Sequence, residues 1–222
     1  MKISKETIEV LKNFATINSN IIIKPGNVLK TVAPQKNILA EVEIAENFNR
    51  EVGIWDLNKF LGAVSLFKDP DFDFQENSVI ISSGGSSLTY FYADSSLLTP
   101  VPEKFTMPDA ETRFDLNEAH LNEMFRASGV LKIPDLVVEG RKDGVYMSVS
   151  EKRSDTSNTF NIKVSESNGP CFSAGMKIEY LKLMDGDYHV AMSSKKISQF
   201  THAKKKLVYY IALNPDSKWI KA

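Results

Sequence analysis

The sequence contains a single cysteine, Cys171, among 222 residues, so no disulfide can form within the chain. Such a composition is typical of a protein that works in a reducing compartment, where a lone cysteine usually serves as a small buried side chain. The chain has no apolar run approaching the roughly 18 residues that cross a bilayer, and its first residues lack a signal-peptide pattern. We therefore expect a soluble, cytosolic protein that does not contact membranes.

Residues that form zinc or nucleotide sites are also sparse. The three histidines, His120, His189 and His202, are far apart in the sequence and do not match a zinc-binding spacing. The glycine-containing stretch SSGGSS at 82–87 lacks the lysine and the following helix of a phosphate-binding loop. The sequence therefore predicts neither a zinc site nor a nucleotide site.

One acidic stretch has a superficial likeness to a calcium loop. Asp69, Asp71 and Asp73 alternate along it, but Phe74 stands where the calcium loop requires glycine. A solvated acidic turn is the better interpretation. No pair of carboxylates can be singled out as a general acid and base by spacing. We expect no catalytic residue, no metal and no cofactor.

The charge balance of the chain is close to neutral. Its 27 lysines and arginines are offset by 28 acidic residues, which gives a formal net charge of −1. A protein that wraps nucleic acid usually has a strongly basic balance. Any contact with DNA must therefore depend on where the positive charges lie rather than on their number.

Helical and strand-like segments follow one another in the same order in both halves of the chain. Helical periodicity predicts four helices, with short strands between them. Ser4 caps the first helix (4–18), Asp56 caps the second (56–67) and the third begins near Asn117. The third and fourth helices have apolar stripes formed by Leu121, Met124, Phe125 and Ser128, and, over residues 173–184, by Met176, Tyr180, Leu183 and Met184.

This duplication predicts an α+β fold of two similar domains, each with two helices packed on antiparallel sheet. The expected boundaries are 1–108 and 109–222, with a proline-containing connector at about 94–108. A single irregular α+β domain remains the alternative.

The helix predicted over 56–67 has an unusual outer face. Opposite its apolar stripe lie Asn58, Lys59, Gly62 and Ala63, which include no acid and few long side chains. A solvent-facing helix usually carries charges of both signs. This face can pack against a neighbouring element or face a negatively charged partner, and the residues alone leave both open.

Two stretches at the start of the chain and one near its end are similar to those of a known family. SKETIEVLKNFATINSNIIIK (4–24) and WDLNKFLGAVSLF (55–67) resemble the sliding clamps of large tailed bacteriophages, which are DNA polymerase processivity factors. LMDGDYHVAMSSKKISQFTHAKKKLVYYIAL (183–213) resembles the terminal hairpin of these clamps and, more distantly, that of proliferating cell nuclear antigen. The resemblance extends over the chain in order, with poorer agreement at 68–110 and 150–172.

The resemblance implies the DNA clamp fold and a ring-forming homotrimer whose helices line a hole around duplex DNA. The expected partners are double-stranded DNA without sequence specificity, the phage DNA polymerase and an ATP-dependent clamp loader. Phage late-transcription factors are left open as further partners. The expected location is the cytoplasm of the infected bacterial host.

The resemblance also suggests three groups of site residues. Positive side chains on the four helices would face DNA, although each taken singly is more typical of a solvated surface: Lys5, Lys12, Lys59, Arg126, Lys177 and Lys182. A pocket beside the connector would bind partner peptides through Leu98, Val101, Phe105, Tyr210, Leu213 and Pro215. Two edge strands would form the subunit interface through Tyr90, Tyr92, Phe160 and Ile162.

Simpler roles remain open for two of these groups. The connector residues can serve only to hold the two domains together through apolar contacts, and Tyr90 and Tyr92 can belong to a core. The run Lys204, Lys205 and Lys206 lies between strand signals and is not assigned to DNA. At the level of function, the alternatives to a clamp are a structural virion protein that assembles symmetrically and an enzyme with an unrecognised site.

Overall fold

Among the described residues, three α-helices form where a capping side chain precedes an apolar stripe. In the computed structural model the helices are α1 (Lys5–Ile17), α2 (Leu57–Ser65) and α3 (Glu118–Leu131). The side chains of Ser4, Asp56 and Asn117 each accept a hydrogen bond from a backbone amide of the first turn. The predicted caps Ser4 and Asp56 and the three predicted helices are confirmed, and Asn117, near which the third helix was predicted to begin, is its cap.

The structure describes residues 1–150, 158–166 and 169–220. It divides the chain into two compact units, Met1–Lys104 and Phe105–Ala222. The division falls inside the predicted connector, at residue 104 rather than at residue 108.

The first unit contains seven strands: β1 (Ile21–Ile23), β2 (Gly26–Val32), β3 (Ile38–Phe48), β4 (Val52–Ile54), β5 (Asp71–Phe74), β6 (Ser78–Ser83) and β7 (Ser86–Phe91). They pair antiparallel as β1 with β4, β2 with β3, and β5-β6-β7 in sequence order. The stretch SSGGSS forms the turn between β6 and β7, where Gly84 and Gly85 have φ of +58° and +87°. These angles favour glycine, so the stretch is a hairpin turn.

The core of the first unit lies under its two helices. α1 buries Val10, Leu11 and Phe14 and packs against α2, which buries Leu57 and Phe60. Burial of each large apolar side chain contributes about 1.5–3 kcal/mol relative to exposure. The apolar faces of both helices are therefore fixed inward, and their polar faces remain on the surface.

The described part of the second unit contains nine strands: β8 (Thr112–Leu116), β9 (Asp135–Arg141), β10 (Gly144–Val149), β11 (Phe160–Ser165), β12 (Phe172–Lys177), β13 (Tyr188–Ser193), β14 (Ile197–His202), β15 (Leu207–Ala212) and β16 (Lys218–Trp219). One antiparallel sheet has the order β11-β10-β9-β12-β16, and β15, β14, β13 and β8 pair antiparallel in that order. α3 packs on β10 and β11.

The fourth predicted helix, over residues 173–184, is wrong. Strand β12 occupies its first half, and a single 3₁₀ turn at Ile178–Tyr180 follows. Phe172, Ala174 and Met176 are buried at alternate positions, which is the period of a strand. β9 and β16 flank β12 and satisfy its backbone groups, so tertiary pairing prevails over the helical spacing of Met176, Tyr180, Leu183 and Met184.

The described part of the chain shows neither a membrane-spanning helix nor a metal cluster. Each of its helices is too short or too polar to cross a bilayer. No three His, Cys, Asp or Glu side chains of the described residues lie close enough together to hold a metal ion. In the acidic stretch, the carboxylates of Asp69 and Asp71 form ion pairs with Lys2. Their oxygens lie 3.2 and 3.4 Å from the Lys2 ammonium nitrogen.

A carboxylate from β3 fastens the start of α1. Glu46 accepts a hydrogen bond from the backbone amide of Ser4 and another from the Thr7 hydroxyl, at 2.5 Å. Burial opposes the charge of Glu46, but these hydrogen bonds outweigh it and lower the pKa of the carboxyl below its usual range. An anion at a helix N-terminus also interacts favourably with the helix dipole.

We expect Glu46→Gln to lower the free energy of unfolding at pH 7 by roughly 0.5–1 kcal/mol, the usual cost of a lost helix cap. Because the folded-state pKa of Glu46 is lowered, its stabilisation is present above the unfolded-state pKa and disappears as the pH falls through the folded-state value. Urea unfolding of both proteins between pH 7 and pH 3 measures this effect. A difference that stays constant down to pH 3 would contradict it.

Candidate nucleic-acid interface and partner-binding surfaces

The outer face of α1 is only weakly positive. Lys5, Glu9 and Lys12 are exposed on it, and the Lys12 ammonium lies 3.0 Å from the Glu9 carboxylate. This pair cancels one of the two positive charges. The structure therefore leaves Lys5 as the main cation of this face.

The outer face of α2 carries one positive charge and no acid. Asn58, Lys59 and Gly62 are exposed there, and no other described side chain pairs with the Lys59 ammonium. Because α1 packs against α2 in the same unit, Lys5, Lys12 and Lys59 lie on the exposed surface of two neighbouring helices. Such a surface attracts phosphate groups without reading base sequence.

The outer face of α3 is mixed in charge. Arg126 and Asn122 are exposed on it, as predicted, and Glu118 and Glu123 are exposed beside them. Phe125, which was predicted to lie on the apolar stripe, is instead 39% exposed. At 3.6 residues per turn Phe125 lies about 40° from the buried Leu121 and about 60° from the exposed Asn122, so it stands at the margin of the apolar stripe.

Lys177 and Lys182 do not lie on a helix. Lys177 ends β12, and its ammonium pairs with Asp135 of β9 at 2.8 Å. Lys182 is exposed in the loop that follows the 3₁₀ turn. The helix-based reason for placing these two side chains against DNA is therefore removed.

The connector residues of the first unit have two different environments. Leu98 is 4% exposed, and a Cβ at Gly53 would lie 3.1 Å from its side chain. Val101 lines a cleft of about 510 Å³ with Ile22, Pro25 and Val28, and with Pro100 and Pro102. Leu98 thus anchors the connector, whereas Val101 lies where another molecule can reach it.

Charged groups surround this cleft, which we call the connector cleft. Lys24 pairs with Glu103 at 3.5 Å, and Lys30 pairs with Glu41 at 2.7 Å. Lys30 also donates to the Glu103 carbonyl at 2.8 Å, which ties the connector to β2. An apolar cleft with a charged rim is a common form of peptide-binding site.

The remaining residues of the predicted pocket lie in the second unit. The rings of Phe105 and Tyr210 are in contact, with centroids 4.6 Å apart. Leu213 is 5% exposed and its amide bonds the Lys196 carbonyl at 2.9 Å, whereas Pro215 is exposed. Leu213 is therefore a core residue, while Phe105, Tyr210 and Pro215 keep exposed atoms.

The two strands predicted as subunit edges each have a side without a strand partner. Among the described strands, β7 pairs only with β6, and β11 pairs only with β10. Phe160 and Ile162 are half-buried on β11. These strands therefore offer backbone groups with which a strand of another molecule can pair.

Tyr90 and Tyr92 point inward from β7 and the residue after it. The Tyr90 ring packs edge-on against Phe60 at 5.1 Å, and its hydroxyl donates to the Asp56 carbonyl at 3.3 Å. Burial raises the pKa of Tyr92 to about 12. Between them, Phe91 is 73% exposed. Phe91 was not among the predicted interface residues, although strand alternation places it on the face opposite the two tyrosines.

Comparison with known proteins places these surfaces in a family. A family model described as DNA polymerase processivity factor matches residues 4–95. The sliding clamp of Vibrio phage KVP40 is 34% identical over 219 residues, which cover 96% of this chain and 98% of that protein. The chain belongs to the sliding clamp family. The sliding clamp of Enterobacteria phage T4 is 27% identical over 225 residues, with 98% of both chains covered.

Solved structures of cellular clamps share the fold. A. fulgidus PCNA, bound to the C-terminal region of FEN-1, has a TM-score of 0.71 at 14% identity and covers 95% of this chain and 96% of its own. The Helicobacter pylori beta clamp, bound to a DNA ligase peptide, has a TM-score of 0.73 at 10% identity and covers 96% of this chain and 64% of its own. These likenesses confirm the predicted α+β clamp fold.

Family membership confirms the predicted role of a DNA polymerase processivity factor. Sliding clamps are non-enzymatic, and the family implies binding to DNA and to a DNA polymerase. The alternative of a structural virion protein has no support in these comparisons.

We expect Leu98→Ser to destabilise this clamp by roughly 2–4 kcal/mol, because it exchanges a buried side chain for a small polar one. Val101→Ser should cost less than about 1 kcal/mol, since Val101 is partly exposed. Thermal unfolding of the two single variants makes the comparison. Equal melting temperatures would show that Leu98 does not anchor the connector.

Proposed function

We propose that three copies of this clamp close head to tail into a ring around duplex DNA and tether the phage DNA polymerase to it. The observation that carries this proposal is the pair of open edges, β7 in the first unit and β11 in the second. A strand pairing between unlike edges of successive copies is heterologous, and it closes when the rotation per copy divides a full turn. It also covers two edges that would otherwise invite aggregation.

DNA binding in this proposal is electrostatic. The exposed cations on helices are Lys5, Lys12, Lys59 and Arg126. Their number is small and the net charge of the chain is −1, so the ring holds DNA mainly by enclosing it. A weak, sequence-independent contact permits sliding, because no single contact must be broken at high cost.

The connector cleft is the proposed docking site for partner peptides. It combines an apolar floor, built from Ile22, Val28 and Val101, with backbone that the Lys30 bond holds in place. A tethered polymerase has a high effective concentration at the primer end, which is the physical basis of processivity.

Other parts of the proposal concern loading, location and chemistry. The sequence has no P-loop motif, so opening of the ring depends on an ATP-driven loader supplied by another protein. The clamp acts in the cytoplasm of the infected bacterial host and carries out no chemical step of its own. Phage late-transcription factors are candidates for the same docking cleft.

Replacing Lys12, Lys59 and Arg126 together by glutamate tests the DNA-facing helices. We expect roughly a tenfold shorter retention on nicked circular DNA, because the change places three negative charges where phosphates pass. The matched control replaces Lys36, Lys142 and Lys218, which are exposed outside the helices, and should retain DNA normally. Gel filtration must show the same assembly for both variants. Normal retention by the helix variant would refute this placement of DNA.

Val28→Glu tests the connector cleft. Val28 is 37% exposed and lines the cleft, so a charge among the apolar side chains that a peptide would cover should weaken binding of the polymerase's C-terminal peptide by roughly tenfold in calorimetric titration. The control is Leu97→Glu, on a connector residue that is 68% exposed and not part of the cleft lining. Equal affinities of the two variants would place docking elsewhere.

A further inference from the structure

A polar cleft of about 400 Å³ lies on one face of strands β8, β13 and β14 in the second unit. Among the described residues, none from a helix and none from the connector cleft lines it. It is therefore a surface to which neither DNA binding nor peptide docking at the connector assigns a role.

The register of the three strands arranges the lining in two rows. One row across β8, β13 and β14 is Asp115, His189 and Thr201, and the next is Arg113, Ala191 and Gln199. Residues two apart on a strand share a face, so both rows lie on the same side of the sheet. The short side chain of Ala191 leaves space between those of Arg113 and Gln199, which forms the depression.

A carboxylate orients the histidine of this cleft. Nδ1 of His189 lies 2.5 Å from Oδ1 of Asp115, its direct neighbour on β8. Because a carboxylate accepts hydrogen bonds, Nδ1 carries the proton and Nε2 is left for another partner. Nε2 of a neutral ring can only accept a hydrogen bond, whereas Nε2 of a protonated ring donates one.

The cleft also collects other hydrogen-bonding groups. The Arg113 guanidinium donates to the Ala110 carbonyl at 2.9 Å, which holds this side chain at the cleft. Ser165 of β11 adds a hydroxyl at the margin. Among the described residues, the side chains of Ser165, Gln199 and Thr201 have no hydrogen-bond partner. A guanidinium with several neutral donors around it suits a planar oxyanion such as a carboxylate.

The protonation state of His189 sets the net charge of the cleft. Arg113 and Asp115 carry opposite charges on β8, and the residues that β14 contributes are neutral. Beside Ser165, Lys163 and Glu166 form an ion pair at 2.9 Å and offset each other. The lining is thus neutral overall when the imidazole is neutral, and it has one net positive charge when the imidazole is protonated.

We propose that this cleft binds the carboxylate of an acidic side chain of a partner protein, together with a proton that His189 takes up from solvent. Arg113 and the Nε2–H of His189 donate to the carboxylate oxygens, and Asp115 stabilises the imidazolium from its other side. The site is a second docking point for proteins on this clamp, and it depends neither on the ring nor on the connector cleft.

The charges around the cleft favour a protein over a nucleic acid. The side chains of Asp115 and Glu166 are 82% and 86% exposed. A nucleic-acid backbone would bring further phosphates close to these two acids, which repel them. A single carboxylate satisfies the one net positive charge without that cost.

Nuclear magnetic resonance of the histidine rings tests the site. The chain has three histidines, so clamp labelled with ¹³C at the histidine Cε1 atoms gives a separate signal for His189. N-acetyl-glutamate α-amide is the probe, and N-acetyl-glutamine α-amide is its neutral control. We expect a saturable shift of the His189 signal with the glutamate probe alone. Its affinity should be roughly tenfold higher at pH 6 than at pH 8, because protonation of His189 adds a donor and a charge. The buried His202 serves as the internal reference.

Two variants separate the charge of the cleft from its shape. Arg113→Gln removes the cation, and Ala191→Leu fills the depression while it keeps every polar group. Each should weaken binding of the glutamate probe by roughly tenfold. Arg141→Gln is the matched control, because Arg141 is an exposed arginine of the same unit outside the cleft. An unchanged His202 signal shows that each variant is folded.

Four results would overturn the proposal. They are equal shifts with the glutamate and glutamine probes, equal affinity at the two pH values, normal binding by both cleft variants, and tighter binding of inorganic phosphate than of the glutamate probe. The last result would assign the cleft to a phosphate group instead. Loss of the ring or of peptide docking at the connector cleft would change none of these measurements, so the two proposals fail separately.

Discussion

The backbone of an edge strand must find hydrogen-bond partners, and this requirement governs how the clamp can assemble. β7 and β11 each leave one side without a partner among the described strands. Water can satisfy these groups in a single chain, but pairing with a neighbour satisfies them and buries Phe91 at the same time. The proposed ring follows from two such edges on one chain, because unlike edges that pair head to tail form a closed ring when the rotation per copy divides a full turn.

In the proposed ring, the helices are the elements that face DNA. Their buried faces are fixed by residues such as Phe14 and Phe60, and the start of α1 is fixed further by Glu46. The outer faces are then free to differ in chemistry along their length. On α2, the exposed residues Asn58, Lys59 and Gly62 include one positive charge and no acid.

In the connector, a residue that stabilises the fold and a residue that lines the proposed binding cleft are close together in the sequence. Leu98 and Val101 are three residues apart, yet the first is packed against Gly53 and the second lines an open cleft. Both are apolar, so residue type alone does not separate an anchor from a contact residue. Their difference arises from whether the connector covers the side chain or leaves it beside the cleft.

Much of the architecture was determined by the sequence alone, because local signals and long-range packing agree there. The caps Ser4, Asp56 and Asn117 and their apolar stripes specify three helices, and hairpin turns such as Gly84-Gly85 specify the strands around them. The resemblance of residues 4–24 and 55–67 to phage clamps was sufficient to indicate the family. These features depend on neighbours within a few residues, which a sequence displays directly.

The tertiary structure decided what depends on distant partners. Residues 172–177 form a strand because β9 and β16 flank them, although the spacing of the apolar residues over 173–184 also fits a helix. Because that helix does not form, the reason for placing Lys177 and Lys182 against DNA is removed. Tyr90 faces inward because Phe60 lies beside it, and Leu98 and Leu213 are buried by segments remote in the chain. The period of apolar residues predicts which side of a helix or strand is buried. Which segment packs against that side is decided only by the tertiary structure.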